Sequence, residues 1–309
     1  MESNFSKYYR SPDDDLKVRG SGSFSESEIK KIRSDFKEYV MANFNGERLL
    51  ALDLEVELGE GINEKIEFVF VELIKYFESL GIVPISCNEL FLTATDPSKG
   101  IAGENSRSRG VVVNNPALED IGLRQLSFLK TLAHKLYHST AMASFTITET
   151  IADDTLHTQI NIDEGVSYGT KDEPLMFEEG MASLFEESVT PKIKELFSQD
   201  THNKYDELVQ IALKNIEEPE LSDEFDIHIR QVESGMQYSS SQYSGSRKLV
   251  KYLKSEIDNF LVLVENARIK RFTLPLARAI EKRFGKGSYR RLSTALAVDA
   301  DQVLSELTQ

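Results

Sequence analysis

The chain is 309 residues long and has one cysteine, Cys87. That excludes an internal disulfide and any zinc knuckle built from several thiolates. Positive charge is scarce as well: 36 Lys and Arg face 51 Asp and Glu, for a formal net charge of -15. A polyanion of this size repels nucleic acid and anionic membrane unless its basic residues are segregated locally. No apolar run approaches the roughly 18 residues that a membrane-spanning helix requires. The opening MESNFSKYYRSPDDD lacks the apolar core of a secretory signal. The expectation from these absences is a soluble, cytoplasmic protein without a nucleic-acid or membrane partner. What is present, 40% hydrophobic and 28% charged residues, is the composition of a globular chain with a real core.

Residues 1–24 are rich in Ser, Asp, Gly and Tyr without apolar periodicity, and read as a loosely attached tail. From Ser25, SESEIKKIRSDFKEYVMANF has the capping and periodicity of an amphipathic helix. RLLALDLEVEL (48–58) alternates like a strand, and EKIEFVFVELIKYFESLG (64–81) reads as a helix closed by Gly81. Residues 89–95 and 109–115 are strand-like, with a glycine-bearing loop between them. The apolar segment 123–144 is a buried helix, a β-prone stretch follows to about 172, and 174–189 is a second helix. Helical patterns then recur at 204–216, 243–265, 273–285 and 287–308. The fold class is α+β: an N-terminal mixed β/α lobe at about 25–118, a more helical lobe at about 119–265, and a helical extension over 266–309.

His134 and His138 lie four apart in the first central helix, so both imidazoles project from one face. Two ligands of one metal ion need that spacing, although helical histidine pairs are more often plain hydrogen-bonded residues. In the next helix, Glu178 and Glu179 precede a glycine in an otherwise apolar run. A carboxylate there is the third ligand that a His-His-carboxylate site needs, while the plainer reading is that both acids occupy the first turn, where the helix dipole favours them; each reading can hold for one residue.

With these residues in place, the sequence resembles the gluzincin zinc metallopeptidases, above all the aminopeptidase N type. Those enzymes carry HExxH on one helix and an NEGFAS-like segment on the next. Here the segments are His134-Lys-Leu-Tyr-His138 and Glu179-Gly-Met-Ala-Ser. Tyr238 and Tyr243 keep the family's five-residue tyrosine step, with Gly245 one position early. Ala102-Gly-Glu104-Asn105 is similar to the family's Gly-x-Met-Glu-Asn substrate strand. The step from His138 to Glu179 is 41 residues, about twice the family's, so residues 145–172 read as an insertion. The resemblance implies a two-lobed, thermolysin-like zincin fold with zinc on His134, His138 and Glu179. It also implies a peptide or protein substrate with Glu104 and Asn105 against it, and Tyr243 with Tyr238 on the catalytic side.

Position 135 departs from the pattern. The glutamate of HExxH is the general base, whereas Lys135 carries an ammonium, which accepts no proton. Two functions follow: a metallopeptidase with impaired catalysis, or a non-catalytic pseudopeptidase that binds through the same cleft. Elsewhere, His157, His202 and His228 sit in polar surroundings and read as surface residues, His157 also as a minor extra ligand. The basic block from Arg268 to Arg291 reads as solvated helix faces, or as a docking surface for an acidic partner. Cys87 has no basic neighbour and reads as a buried or idle thiol.

Overall fold

The computed structural model describes residues 5–9, 16–18, 54–83, 85–87, 90–93, 103–106, 110–141, 143–152, 155–164, 175–216, 224–232, 235–240, 243–270 and 272–308, with single positions at 25, 27, 30, 31 and 34. Most of the helix expected from Ser25, and the first half of the strand expected over 48–58, lie outside the described residues. The second half of that segment is a helix, α1 (Leu54–Leu58), not a strand. Its alternating Leu54, Val56 and Leu58 mislead, because helical period places residues i and i+4 together. Leu54 and Leu58 turn inward, and Val56 is 77% exposed.

Helix α2 (Ile62–Ser79) buries Ile62, Ile66, Val69, Phe70, Leu73 and Phe77, the stripe its sequence announces. Residues 5–9, which composition assigns to a loose tail, are packed on this helix. Phe5 and Tyr8 stack on Phe70 with ring centroids 5.4 and 4.8 Å apart, and Tyr8 donates to Glu67 at 2.5 Å. Aromatic area outweighs the polar residues around it. Cys87 is buried beside this segment and donates to the Tyr8 carbonyl.

A three-stranded sheet follows, in the order β2 (Leu90–Thr93), β4 (Gly110–Asn114), β3 (Gly103–Ser106). Strands β2 and β4 are parallel, and β3 runs antiparallel to β4 at the edge. Strand β3 falls within the expected loop. Its sequence, Gly-Glu-Asn-Ser, has no strand signal, and its ladder with Val111, Val112 and Val113 makes it a strand.

Helix α3 (Ile121–Ser139) is capped by Asp120, whose carboxylate accepts from the Leu123 amide, and runs through the interior. After it, β5 (Ala143–Ala152) and β6 (Thr155–Glu164) form a hairpin, with β1 (Leu16–Val18) parallel to β5. The expected insertion between the two central helices is thus largely this hairpin. Helix α4 (Met176–Lys194) returns the chain to the core, followed by α5 (Gln199–Asn215). The hairpin β7 (Ile227–Val232) and β8 (Gly235–Ser240) interrupts what reads as an all-helical remainder. Helices α6 (Ser244–Glu256) and α7 (Phe260–Lys270) divide the segment expected as one helix, at Asn259 with φ 56°. Helices α8 (Leu274–Phe284), α9 (Ser288–Thr294) and α10 (Ala300–Leu307) complete the chain. The fold is α+β, and one hydrophobic cluster runs from Phe5 through α2, α3, α4 and α6 to Val303. No helix among the described residues is long and apolar enough to cross a membrane.

Candidate metal centre

Helices α3 and α4 pack against each other in this core, and their facing sides bring His134, His138 and Glu179 together. His134 Nε2 lies 3.1 Å from Glu179 Oε2 and 3.1 Å from His138 Nε2, and His138 Nε2 lies 3.2 Å from the same carboxylate oxygen. The three ligand atoms form a nearly equilateral triangle. A tetrahedral zinc with bonds of about 2.0–2.1 Å has ligand–ligand edges of roughly 3.3–3.4 Å, so the donor set fits such an ion with little movement. The side chains of His138 and Glu179 keep 14% and 12% of their surface exposed, so the triangle is largely shielded from solvent.

Protonation favours ligation at two of the three positions. Burial alone would raise Glu179. The neighbouring His138, hydrogen bonds from both histidines and the Lys135 charge outweigh it and hold the carboxyl well below its usual range. Burial, with the His134 and Lys135 charges, keeps His138 below 6.5 despite Glu179. His134 goes the other way: burial and Lys135 depress it, but its hydrogen bonds to Glu179 and Glu186 prevail.

Behind the triangle stands Glu186, which the sequence reading passed over. It lies seven residues after Glu179 and therefore on the same face two turns along. His134 Nδ1–H donates to Glu186 Oε2 at 3.0 Å, which fixes the ring's orientation and makes Nε2 the nitrogen that bears a lone pair when the ring is neutral. Lys130, one turn before His134, is buried with its ammonium 3.8 Å from Glu186 Oε1. It also donates to the carbonyls of Glu224 and Phe225 at 3.3 and 3.4 Å.

Gly180 explains how the third wall closes. A Cβ there would stand 2.6 Å from the Ser246 carbonyl oxygen and 2.7 Å from Val250, so only glycine lets α6 approach α4 this closely. The approach places Tyr243, at the start of α6, over His134 with ring centroids 5.6 Å apart and planes at 18°. Burial, the Glu179 charge and a hydrogen bond to Glu179 push the Tyr243 hydroxyl far up, so it stays protonated as a donor. Tyr238, the other member of the pair, lies in β8 opposite Ile229 and packs against the hydrophobic core.

Glu178 faces away from the triangle, as a rotation of about 100° per residue requires. It accepts from Arg268 Nε at 2.9 Å. Arg268 therefore leaves the expected basic surface: it is wholly buried, donates to Glu265 at 2.6 Å and to the Tyr137 carbonyl at 3.2 Å, and stacks on the Tyr137 ring. His228 also departs from its expected surface position. It is half-buried in β7 with Nδ1 3.3 Å from Thr131 Oγ1, and burial drives it down to about 3. His202 is half-buried too, its ring against the Lys194 carbonyl. Lys135 is half-buried beside the edge strand, its stem within van der Waals distance of a Cβ built on Gly103. Glu104 and Asn105 occupy β3 opposite Val112 and Val111. Their proposed side-chain roles, like the ligand role of His157 in β6, fall outside the described residues. No family model matches the chain, and no curated protein or solved structure matches it.

Proposed function

We propose that this protein is a gluzincin-like zinc protein of the metallopeptidase type in which hydrolysis is impaired and peptide binding is retained. The observation that carries the reading is the triangle of His134 Nε2, His138 Nε2 and Glu179 Oε2 with edges of 3.1–3.2 Å. A histidine whose far nitrogen is tied to a buried carboxylate supports it, because metal-binding imidazoles are oriented in this way. In this reading the N-terminal β/α elements and the C-terminal helices are the two lobes of a zincin, with the ligands on the helices between them.

His134, His138 and Glu179 would hold the ion, and zinc there would supply Lewis-acid polarisation of a carbonyl oxygen. Tyr243 donates a hydrogen bond where negative charge develops on that oxygen. Strand β3 has a partner on one side only among the described residues, which leaves an edge for an extended peptide. Proton abstraction is the step without an agent. Lys135 stands one residue after His134 where a carboxylate is needed, and Glu178, adjacent in sequence to Glu179, is engaged by Arg268.

Elemental analysis of protein prepared without chelator tests the metal, with one zinc per chain expected and none after His134→Ala with His138→Ala. Zinc retained by that double variant refutes the site. Lys135→Glu then tests the impairment: general-base catalysis is worth roughly 10²–10⁴-fold, so peptidase activity should rise on that scale. Metal-dependent cleavage by the unaltered chain, abolished by His138→Ala, would overturn the impaired reading.

A further inference from the structure

Lys135 changes the charge of the site, and with it the class of ligand that the site holds. Its ammonium has no hydrogen-bond or ion-pair partner among the described residues, although it is half-buried and its field reaches His134, His138 and Glu179. The other buried lysine of this helix behaves differently, since Lys130 is matched by Glu186 and two carbonyls. With a glutamate at 135, a divalent ion, Glu179 and the base would balance to neutrality. With lysine there, the same ion, Glu179 and the ammonium leave two positive charges at the site. Partly desolvated charge of that kind is balanced by an anion or not balanced at all.

We propose that the centre binds an oxyanion, a carboxylate or a phosphate group, held jointly by the metal and the Lys135 ammonium. This rests on the metal reading above. It differs from that reading in the ligand: a scissile amide is neutral, whereas this site selects a charged terminus or substituent. The Lys135 stem lies beside Gly103 of the edge strand, where an extended peptide would present a C-terminal carboxylate. A lysine is suited to this as a point charge on a flexible stem, needing no fixed planar geometry.

The test is calorimetric titration of zinc-loaded protein at fixed ionic strength with three probes: an N-acetylated dipeptide with a free carboxylate, the same dipeptide as its amide, and inorganic phosphate. We expect the carboxylate to bind at least about tenfold tighter than the amide, and Lys135→Met to lose that preference while Lys135→Arg keeps most of it. Phosphate binding more tightly than the dipeptide would identify phosphate as the source of the oxyanion, and the reverse order a peptide terminus. Equal binding of carboxylate and amide, or undiminished anion binding by a folded Lys135→Met, overturns the proposal. Zinc content measured on the same samples separates the two readings. If the chain takes up no zinc, the metal reading falls. Joint holding of the oxyanion then falls with it, whereas zinc uptake without a Lys135-dependent preference overturns the oxyanion proposal and leaves the metal reading intact.

Discussion

Replacing Arg268 by methionine is the most demanding test of how the two motif helices are held. The guanidinium is fully buried and joins four groups: Glu178 at 2.9 Å, Glu265 at 2.6 Å, the Tyr137 carbonyl at 3.2 Å and the Tyr137 ring, 4.0 Å from its centroid. Methionine keeps much of the apolar stem but leaves the Glu265 carboxylate in the interior, with only the hydroxyls of Tyr76 and Tyr137 to solvate it. Removing one partner of a buried ion pair costs about 3–5 kcal/mol. At an m-value of about 3 kcal/mol/M, the urea midpoint should fall by roughly 1–1.7 M. Glu265→Gln added to Arg268→Met removes the stranded charge and should recover part of the loss. Tyr137 adjoins His138 and Glu178 adjoins Glu179, so zinc affinity should fall along with stability. A loss below about 1 kcal/mol, or a further loss on adding Glu265→Gln, would refute the reasoning.

Gly180→Ala sets a methyl group 2.6 Å from the Ser246 carbonyl oxygen, so α6 must shift; we expect a loss of about 1–3 kcal/mol by denaturation and weaker zinc binding as Tyr243 withdraws. Burial holds His228 near 3 against 6.5 when unfolded, so its contribution to stability is fully present above about pH 6.5 and is lost as the pH falls toward 3. The full span is on the order of 4–5 kcal/mol, and urea midpoints of His228→Gln should fall less steeply between pH 7 and 4 than those of the unaltered chain. Glu179→Met should leave chelator-treated protein at least as stable as the parent and abolish the rise in melting temperature caused by zinc; a zinc-induced rise that survives would place the ion elsewhere.

Much of this was legible in the sequence, and the rest follows a physical pattern. The long helices α2, α3 and α4 announced themselves by apolar periodicity, and the 41-residue step between His138 and Glu179 foretold an excursion that proves to be the β5–β6 hairpin. Strand β3 and the β7–β8 hairpin were hidden because their pairing partners, not their own residues, make them strands. Leu54, Val56 and Leu58 fit either period, and tertiary packing chose the helix. At the site, the four-residue step found His134 and His138, and the family resemblance pointed to Glu179 and Tyr243. Glu186, His228 and Arg268 were missed because a charged residue in sequence reads as surface, and only the folded chain shows which charges face one another in the interior. The seven-residue step from Glu179 to Glu186 was the available signal.

Two buried polar clusters flank helix α3, and the difference between them bears on what the site is for. In the first, Arg268 donates to Glu178, Glu265 and the Tyr137 carbonyl, while the Tyr76 and Tyr137 hydroxyls also donate to Glu265. Donors meet acceptors throughout, and the positive and negative charges lie in contact, as a structural network requires. In the second, the Nδ1–H of His134 is already committed to Glu186, so its Nε2 is an acceptor while the ring is neutral. That acceptor faces Glu179 Oε2, a second acceptor, and His138 Nε2, which holds at most one proton while neutral. With His134 neutral, one proton cannot satisfy three lone-pair-bearing atoms that lie 3.1–3.2 Å from one another, and His134, with its pKa raised, answers this by carrying a second proton on Nε2 toward Glu179. Apolar residues of similar volume would be more stable in the interior than such a set. The cluster therefore needs positive charge among its lone pairs, which either a proton on His134 or a bound cation supplies.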